Sequence, residues 1–156
     1  MTYVKRLSET RALWLSFSAT ILITLAFQLI ARQFELVLLD TLTDPDEVRS
    51  AIAAMTGKQR ELHALVTATL DVAYPAAYGA LFIGSAFRFF PSWGFVLSIP
   101  AMVCIPVDLT EGVVQVLALV GDTDWVSAKT ILTPLKQVLF LTGLLITMAG
   151  WVKWLK

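Results

Sequence analysis

Apolar residues run for long distances along this chain and are interrupted by short polar connections, giving four stretches at about 12–31, 64–90, 93–120 and 126–152. Each is at least as long as the roughly 20 residues that a helix needs to cross a bilayer's hydrocarbon layer. Backbone groups in that layer must satisfy one another, so each stretch is expected to be a helix. The first follows Lys5, Arg6 and Arg11 in the manner of a secretory signal. It is longer than a signal core, and its exit, Ala31-Arg32-Gln33-Phe34-Glu35, lacks a small-x-small cleavage site, so it is read as a span.

The one long connection, 34–63, has its own pattern. Asp44-Pro45-Asp46-Glu47 combines an N-cap, a proline at the first helical position and acids in the first turn. Val48, Ile52 and Met55 then recur at helical spacing, and Thr56-Gly57 closes the run. A short amphipathic helix lying over the bundle is expected, as a cap in preference to a ligand lid or docking element. The predicted fold is therefore all-α: a polytopic membrane protein, a four-transmembrane-helix bundle in a single domain over residues 1–156, with a short external helix between helices 1 and 2.

Composition agrees, with 57% hydrophobic residues and a mean hydropathy of +0.74. Twelve basic and twelve acidic residues cancel, which removes any field that would draw a nucleic acid. Cys104, the single cysteine, lies between apolar neighbours and reads as a small buried hydrophobe. Lys5, Arg6, Arg11, Arg88, Lys153 and Lys156 all fall at one end of the four spans. The two other connections lean acidic: Asp40, Asp44, Asp46, Glu47 and Glu61 outnumber Arg49, Lys58 and Arg60 in the first, and the last holds Asp122 and Asp124. Basic flanks collect in the cytoplasm, so both termini are expected there, in what would be a bacterial inner membrane. Trp14, Trp93, Trp125, Trp151 and Trp154 fall near span ends, as an interfacial aromatic belt requires.

Charge placement changes the picture most. Asp71 lies near Pro75, Asp108 and Glu111 follow Pro106, and Lys136 follows Pro134, all inside apolar stretches. Charges in hydrocarbon are costly, which makes a buried functional site the default reading, and a proline beside each suggests broken helices lining it. Counted from the outer span ends at ~1.5 Å per residue, Asp71, Glu111, Lys136 and Asp108 lie ~10–18 Å deep, at one level in the outer half of the membrane. Helical spacing extends each into a polar stripe: Thr67, Asp71, Tyr74, Tyr78 and Ser85; Asp108, Glu111 and Gln115; Lys129, Thr133 and Lys136; and Thr20, Thr24, Gln28 and Arg32. Three carboxyls face one intramembrane cation, Lys136, with Arg32 and Lys129 expected at the rim. At least one acid is left to bind a proton, water or a cation. Asp108 and Glu111 are placed to share a proton as a coupled pair.

Other chemistries are excluded or disfavoured. A single histidine, His63, rules out bis-histidine haem and multi-histidine zinc, and no phosphate loop or nucleophile elbow occurs, so no cofactor or metal is expected. Ala76, Ala80 and Gly84 form a small-residue stripe on the opposite face of the second helix. It is read as packing within the bundle ahead of a contact with a second copy or a larger membrane complex.

At Tyr74-Pro75-Ala76-Ala77-Tyr78-Gly79, followed by Pro106-Val107-Asp108-Leu109-Thr110-Glu111, the chain resembles small uncharacterised bacterial four-helix integral membrane proteins with a Y-P-x-x-Y-G second helix and a D-x-x-E-N third helix. Gly112 stands where that pattern has asparagine. The resemblance implies the topology and the focus on Asp108 and Glu111, and supplies no substrate.

The function expected from these residues is binding or transport of a small cationic or amphipathic ligand, or of protons, in a carboxylate-rich cavity open to the outer side. Its residues would be Gln28, Asp71, Tyr74, Tyr78, Asp108, Glu111, Gln115 and Lys136. The alternatives are an intramembrane enzyme acting on a lipid-like substrate, with Asp71, Asp108 or Glu111 as acid or base, and a structural subunit in which an Asp108–Lys136 pair merely fastens two helices.

Overall fold

The computed structural model describes residues 2–121 and 124–155 and is all-helical over them. Its helices are α1 (Thr2–Leu7), α2 (Thr10–Gln33), α3 (Pro45–Ala54), α4 (Gly57–Phe89), α5 (Gly94–Val120) and α6 (Lys129–Leu155), with single 3-10 turns at Leu39–Thr41 and Val126–Ala128. Four helices are long and apolar enough to cross a membrane, α6 counted with the turn before it. Bulky apolar side chains such as Leu15, Leu22, Ile131 and Val138 lie exposed along them, consistent with an integral membrane protein whose outer surface meets lipid. The short helix expected between the first two spans is α3. Asp122 and Lys156, which entered the charge argument, lie outside the described residues.

The boundaries follow from local chemistry. At α3 the Asp44 carboxylate accepts the Asp46 and Glu47 amides, and Pro45 occupies the first turn, where its missing N–H costs nothing. Thr56 closes α3 only by opening α4: its hydroxyl accepts the Gln59 amide while the Gln59 side chain accepts the Thr56 N–H at 2.9 Å, a reciprocal capping box. The helix expected from residue 64 thus begins at Gly57, and His63 is helical rather than part of a loop. With 33 residues α4 is ~50 Å long at 1.5 Å per residue, so it projects beyond the hydrocarbon layer. Gly121 ends α5 in the left-handed region, φ 77°, which a glycine adopts without strain.

The expected helix breaks are absent. α4 runs through Pro75, α5 through Pro100 and Pro106, and α6 through Pro134 without interruption. Each proline deletes one ladder bond, a loss that neighbouring groups in a membrane bundle absorb.

α4 is central, packing on α1, α2, α5 and α6, while α5 packs on α6. Chain direction places both termini at one end of the bundle, here the terminal end, and α3 at the other, the capped end. Near the terminal end α2 reaches α6 through Trp14, Phe17 and Trp151, with ring centroids 5.3–5.8 Å apart. Gly84 belongs to this packing: a side chain there would run into the Leu7 carbonyl and the Leu13 methyl, so one end of the small-residue stripe is covered by the chain itself. At the capped end, Leu39, Val48, Ile52 and Met55 close over Leu119 and Val126, so the apolar face of α3 is a cap on the bundle.

Candidate functional site

Three helices carry the site, and their periodicity aims it. Asp108 and Glu111, one turn apart on α5, face Lys129, Thr133 and Lys136, which recur at positions i, i+4 and i+7 on antiparallel α6. Glu111 lies wholly buried between two ammonium groups. One of its oxygens is bonded by Lys129 Nζ and the Thr133 hydroxyl, and the other lies 2.5 Å from Lys136 Nζ. Lys136 also reaches Asp108 Oδ1 at 3.1 Å and approaches Asp40 Oδ1 at 3.8 Å. An ammonium group therefore sits between Asp108 and Glu111, where a shared proton was expected.

Two polar chains extend from this centre. Toward the terminal end, Tyr78 donates to Asp108 Oδ2 at 2.9 Å, and the Cys104 sulfur lies 3.2 Å from the same hydroxyl. Toward the capped end, Lys129 approaches Gln115 Oε1 at 3.4 Å, and Gln115 donates to Thr67 at 3.1 Å. Thr67 lies 3.4 Å from His63 Nδ1, and His63 Nε2 lies 3.1 Å from the Val37 carbonyl. A carbonyl only accepts, so Nε2 carries a hydrogen and donates it to Val37. Every member of the two chains has a partner, as buried polar groups require.

Asp71 does not. It is 7% exposed, and no hydrogen bond or ion pair reaches its carboxylate among the described residues. It lies instead on a cavity of about 320 Å³, a volume within the range of small-molecule sites. Asp40, Asp71, Asp108 and Lys136 form the charged part of its wall, Thr24, Gln28, Thr41 and Gln137 add neutral polar groups, and Phe27, Tyr74, Tyr78 and Phe140 form the aromatic part. Those rings contact one another: Phe27–Tyr74 at 6.0 Å, Tyr74–Tyr78 at 5.3 Å and Tyr78–Phe140 at 5.0 Å. Leu38, Asp40 and Thr41 of the connecting segment line its capped end. Two latches hold this segment to α4, His63 on the Val37 carbonyl and Gln59 on the Phe34 carbonyl at 3.1 Å.

The structure brings together Asp71, Tyr74, Tyr78, Asp108, Lys136 and Gln28 around the cavity, and places Glu111 and Gln115 in the buried network beside it. Thr24 adds a contact of 3.2 Å to the Tyr74 hydroxyl. Arg32 is exposed and apart from the site, and Ser85 lies toward the terminal end, 3.5 Å from the Trp151 indole nitrogen. Sequence reasoning missed two charged members. Lys129, placed at the rim, is fully buried, which corrects the count of one intramembrane cation to two; its i+4 and i+7 relation to Thr133 and Lys136 was the available signal. Asp40 comes from the connecting segment, where nothing in the local pattern aimed it inward.

Fold and site together define a helical membrane bundle built around a buried network of carboxylates and ammonium groups beside an aromatic-walled cavity. In comparisons with known proteins, the chain matches no family model, no curated protein and no solved structure.

Proposed function

We propose that the protein binds a small organic cation, with its charge on Asp71 and its apolar surface against the aromatic wall of the cavity. The observation that carries this reading is the buried, unpartnered Asp71 carboxylate on the cavity wall. Charge arithmetic agrees: Asp40, Asp71, Asp108 and Glu111 supply four carboxyls, while Lys129 and Lys136 supply two ammonium groups, and 4 − 2 leaves two acids in excess. A cation on Asp71 removes one of the two, and the other is carried by Asp40, whose side chain is one-third exposed to solvent. The faces of Phe27, Tyr74, Tyr78 and Phe140 add cation–π attraction, which favours an alkylammonium over a hydrated metal ion.

In this reading the capped end faces outward, both termini are cytoplasmic, and the membrane is a bacterial inner membrane. The cation arrives from outside and is either held or passed onward. Asp71 is also the acid left available for proton transfer, because Asp108 and Glu111 are already engaged.

The test is calorimetric binding of tetramethylammonium to the protein in phosphatidylglycerol nanodiscs. Asp71→Asn is expected to lower affinity about 10- to 100-fold, the worth of a charge-assisted contact, without lowering the thermal midpoint. Equal binding by the parent and Asp71→Asn, or none by the parent, would refute the assignment.

A further inference from the structure

Asp71 and Asp108 line a second cavity on the far side of the same wall. It is a groove of about 300 Å³ between α4 and α5, walled by Ala68, Val72, Leu109, Gly112, Val113 and Val116. Val72 and Val113 are more than half exposed, so the groove faces the surroundings of the bundle, whereas the first cavity lies on the side of α2 and α6. Both of its walls advance toward the capped end, from Asp71 back to Thr67 on α4 and from Asp108 onward to Leu117 on α5.

Gly112 stands beside Asp71 on the groove side. A methyl group built there would lie 3.5 Å from Asp71 Oδ2 and 3.7 Å from Thr67 Cγ2, in ordinary contact with each. With hydrogen in that place, the Asp71 carboxylate is reached from the groove as well as from the cavity. Asp71 is more than nine-tenths buried, has no partner among the described residues, and lines both spaces.

We infer that the α4/α5 groove is the subsite for the hydrocarbon chain of a cationic amphiphile whose ammonium group sits on Asp71. This deepens the reading given under Proposed function, on which it rests for the sign of the ligand's charge. The occupant follows from complementarity: the groove offers apolar walls along its length and a single unbalanced negative charge at its foot. A wholly apolar chain would leave that carboxylate bare, and a hydrophilic cation would leave the walls unused. The bound molecule is thus an alkylammonium taken from the bilayer, its head at the wall between the two spaces and its chain between α4 and α5.

The experiment uses dodecyltrimethylammonium with a diazirine at the chain end, photolysed with the protein in phosphatidylglycerol nanodiscs, followed by peptide mapping. Labelling is expected to concentrate on Ala68, Val116 and Leu117, at the end of the groove away from Asp71, and to fall about tenfold or more in Asp71→Asn, as the loss of a charged contact predicts. Gly112→Leu fills the groove from α5 and Ala68→Leu fills it from α4, where Ala68 is exposed. Both are expected to abolish groove labelling, and Ala68→Leu, which lies clear of the first cavity, to leave tetramethylammonium affinity unchanged. Labelling spread evenly over all lipid-facing helices, or unaltered by either leucine, overturns the inference and identifies the groove as filled by ordinary lipid. Loss of tetramethylammonium binding in the parent alone, with Asp71-dependent groove labelling retained, overturns the cavity reading and leaves the chain subsite standing.

Discussion

Lys129 has no exposed surface, and its ammonium group bonds Glu111 and approaches Gln115. An ion pair removed from water gains little in net terms, yet removal of one member strands the other. Lys129→Met is therefore expected to cost about 3–5 kcal/mol, and Lys129→Met combined with Glu111→Gln distinctly less than the sum of the single losses, measured by thermal or denaturant unfolding in detergent. Equal and additive losses would show that the two side chains are not coupled. At this scale the sequence was legible where helical spacing aligned polar residues on one helix, as with Asp108 and Glu111. It was illegible where burial depends on a neighbouring helix. Lys129 lies near the start of α6, so depth counting placed it at the rim. The depth of its site is set by Gln115 and Glu111 of α5, and a count along α6 contains no term for them.

Among the elements, α3 shows how a cap is tied down. Its apolar face supplies Val48 and Ile52, and Arg49 on the outer side bridges Asp46 at 2.8 Å and Asp124 at 2.9 Å. Arg49 holds the Asp124 carboxyl below its ordinary value, first through their hydrogen bond and secondarily through the Val126 amide and the charge itself. A depressed acid stabilises the fold above its unfolded value, near 3.8, and that contribution is lost as pH falls through the lower folded value. Amide exchange of α3 compared between the parent and Asp124→Asn should show weaker protection in the variant at pH 6 and no difference in strong acid. Because the pair is exposed, the difference should be small and should shrink in high salt. The start of α3 was readable because Asp44-Pro45 serves one purpose. Thr56-Gly57 serves two, and read as a stop it concealed the first two turns of α4. The prolines misled in the opposite direction, since a lost ladder bond breaks a helix only when nothing else compensates, and the compensation comes from tertiary packing.

For the whole molecule, four crossings place both chain ends on the same side of a membrane. Lys5, Arg6, Arg11, Arg88 and Lys153 gather at that end, which assigns it to the cytoplasm in the proposed orientation. Reporters fused to either terminus are expected to score as cytoplasmic, and a reporter inserted between α3 and α4 as external; any split between the two termini would refute four crossings. The bundle itself was evident in the sequence because hydrocarbon imposes a length and a composition that few soluble segments meet. The cavity was not, because it forms between helices. Its aromatic wall uses Phe27 and Phe140, which in the sequence look like any other apolar residues of a span.

The projecting turns of α4 give lipid thickness a route to the site. Gln59 and His63 grip the Phe34 and Val37 carbonyls, so the strip of chain carrying Asp40 is slung from the top of a helix about 50 Å long. Such a helix meets a thinner bilayer by leaning over, and its upper end then swings furthest. The segment carrying Asp40 would travel with it, and the 3.8 Å separation between Asp40 and Lys136 would then change with the thickness of the host membrane.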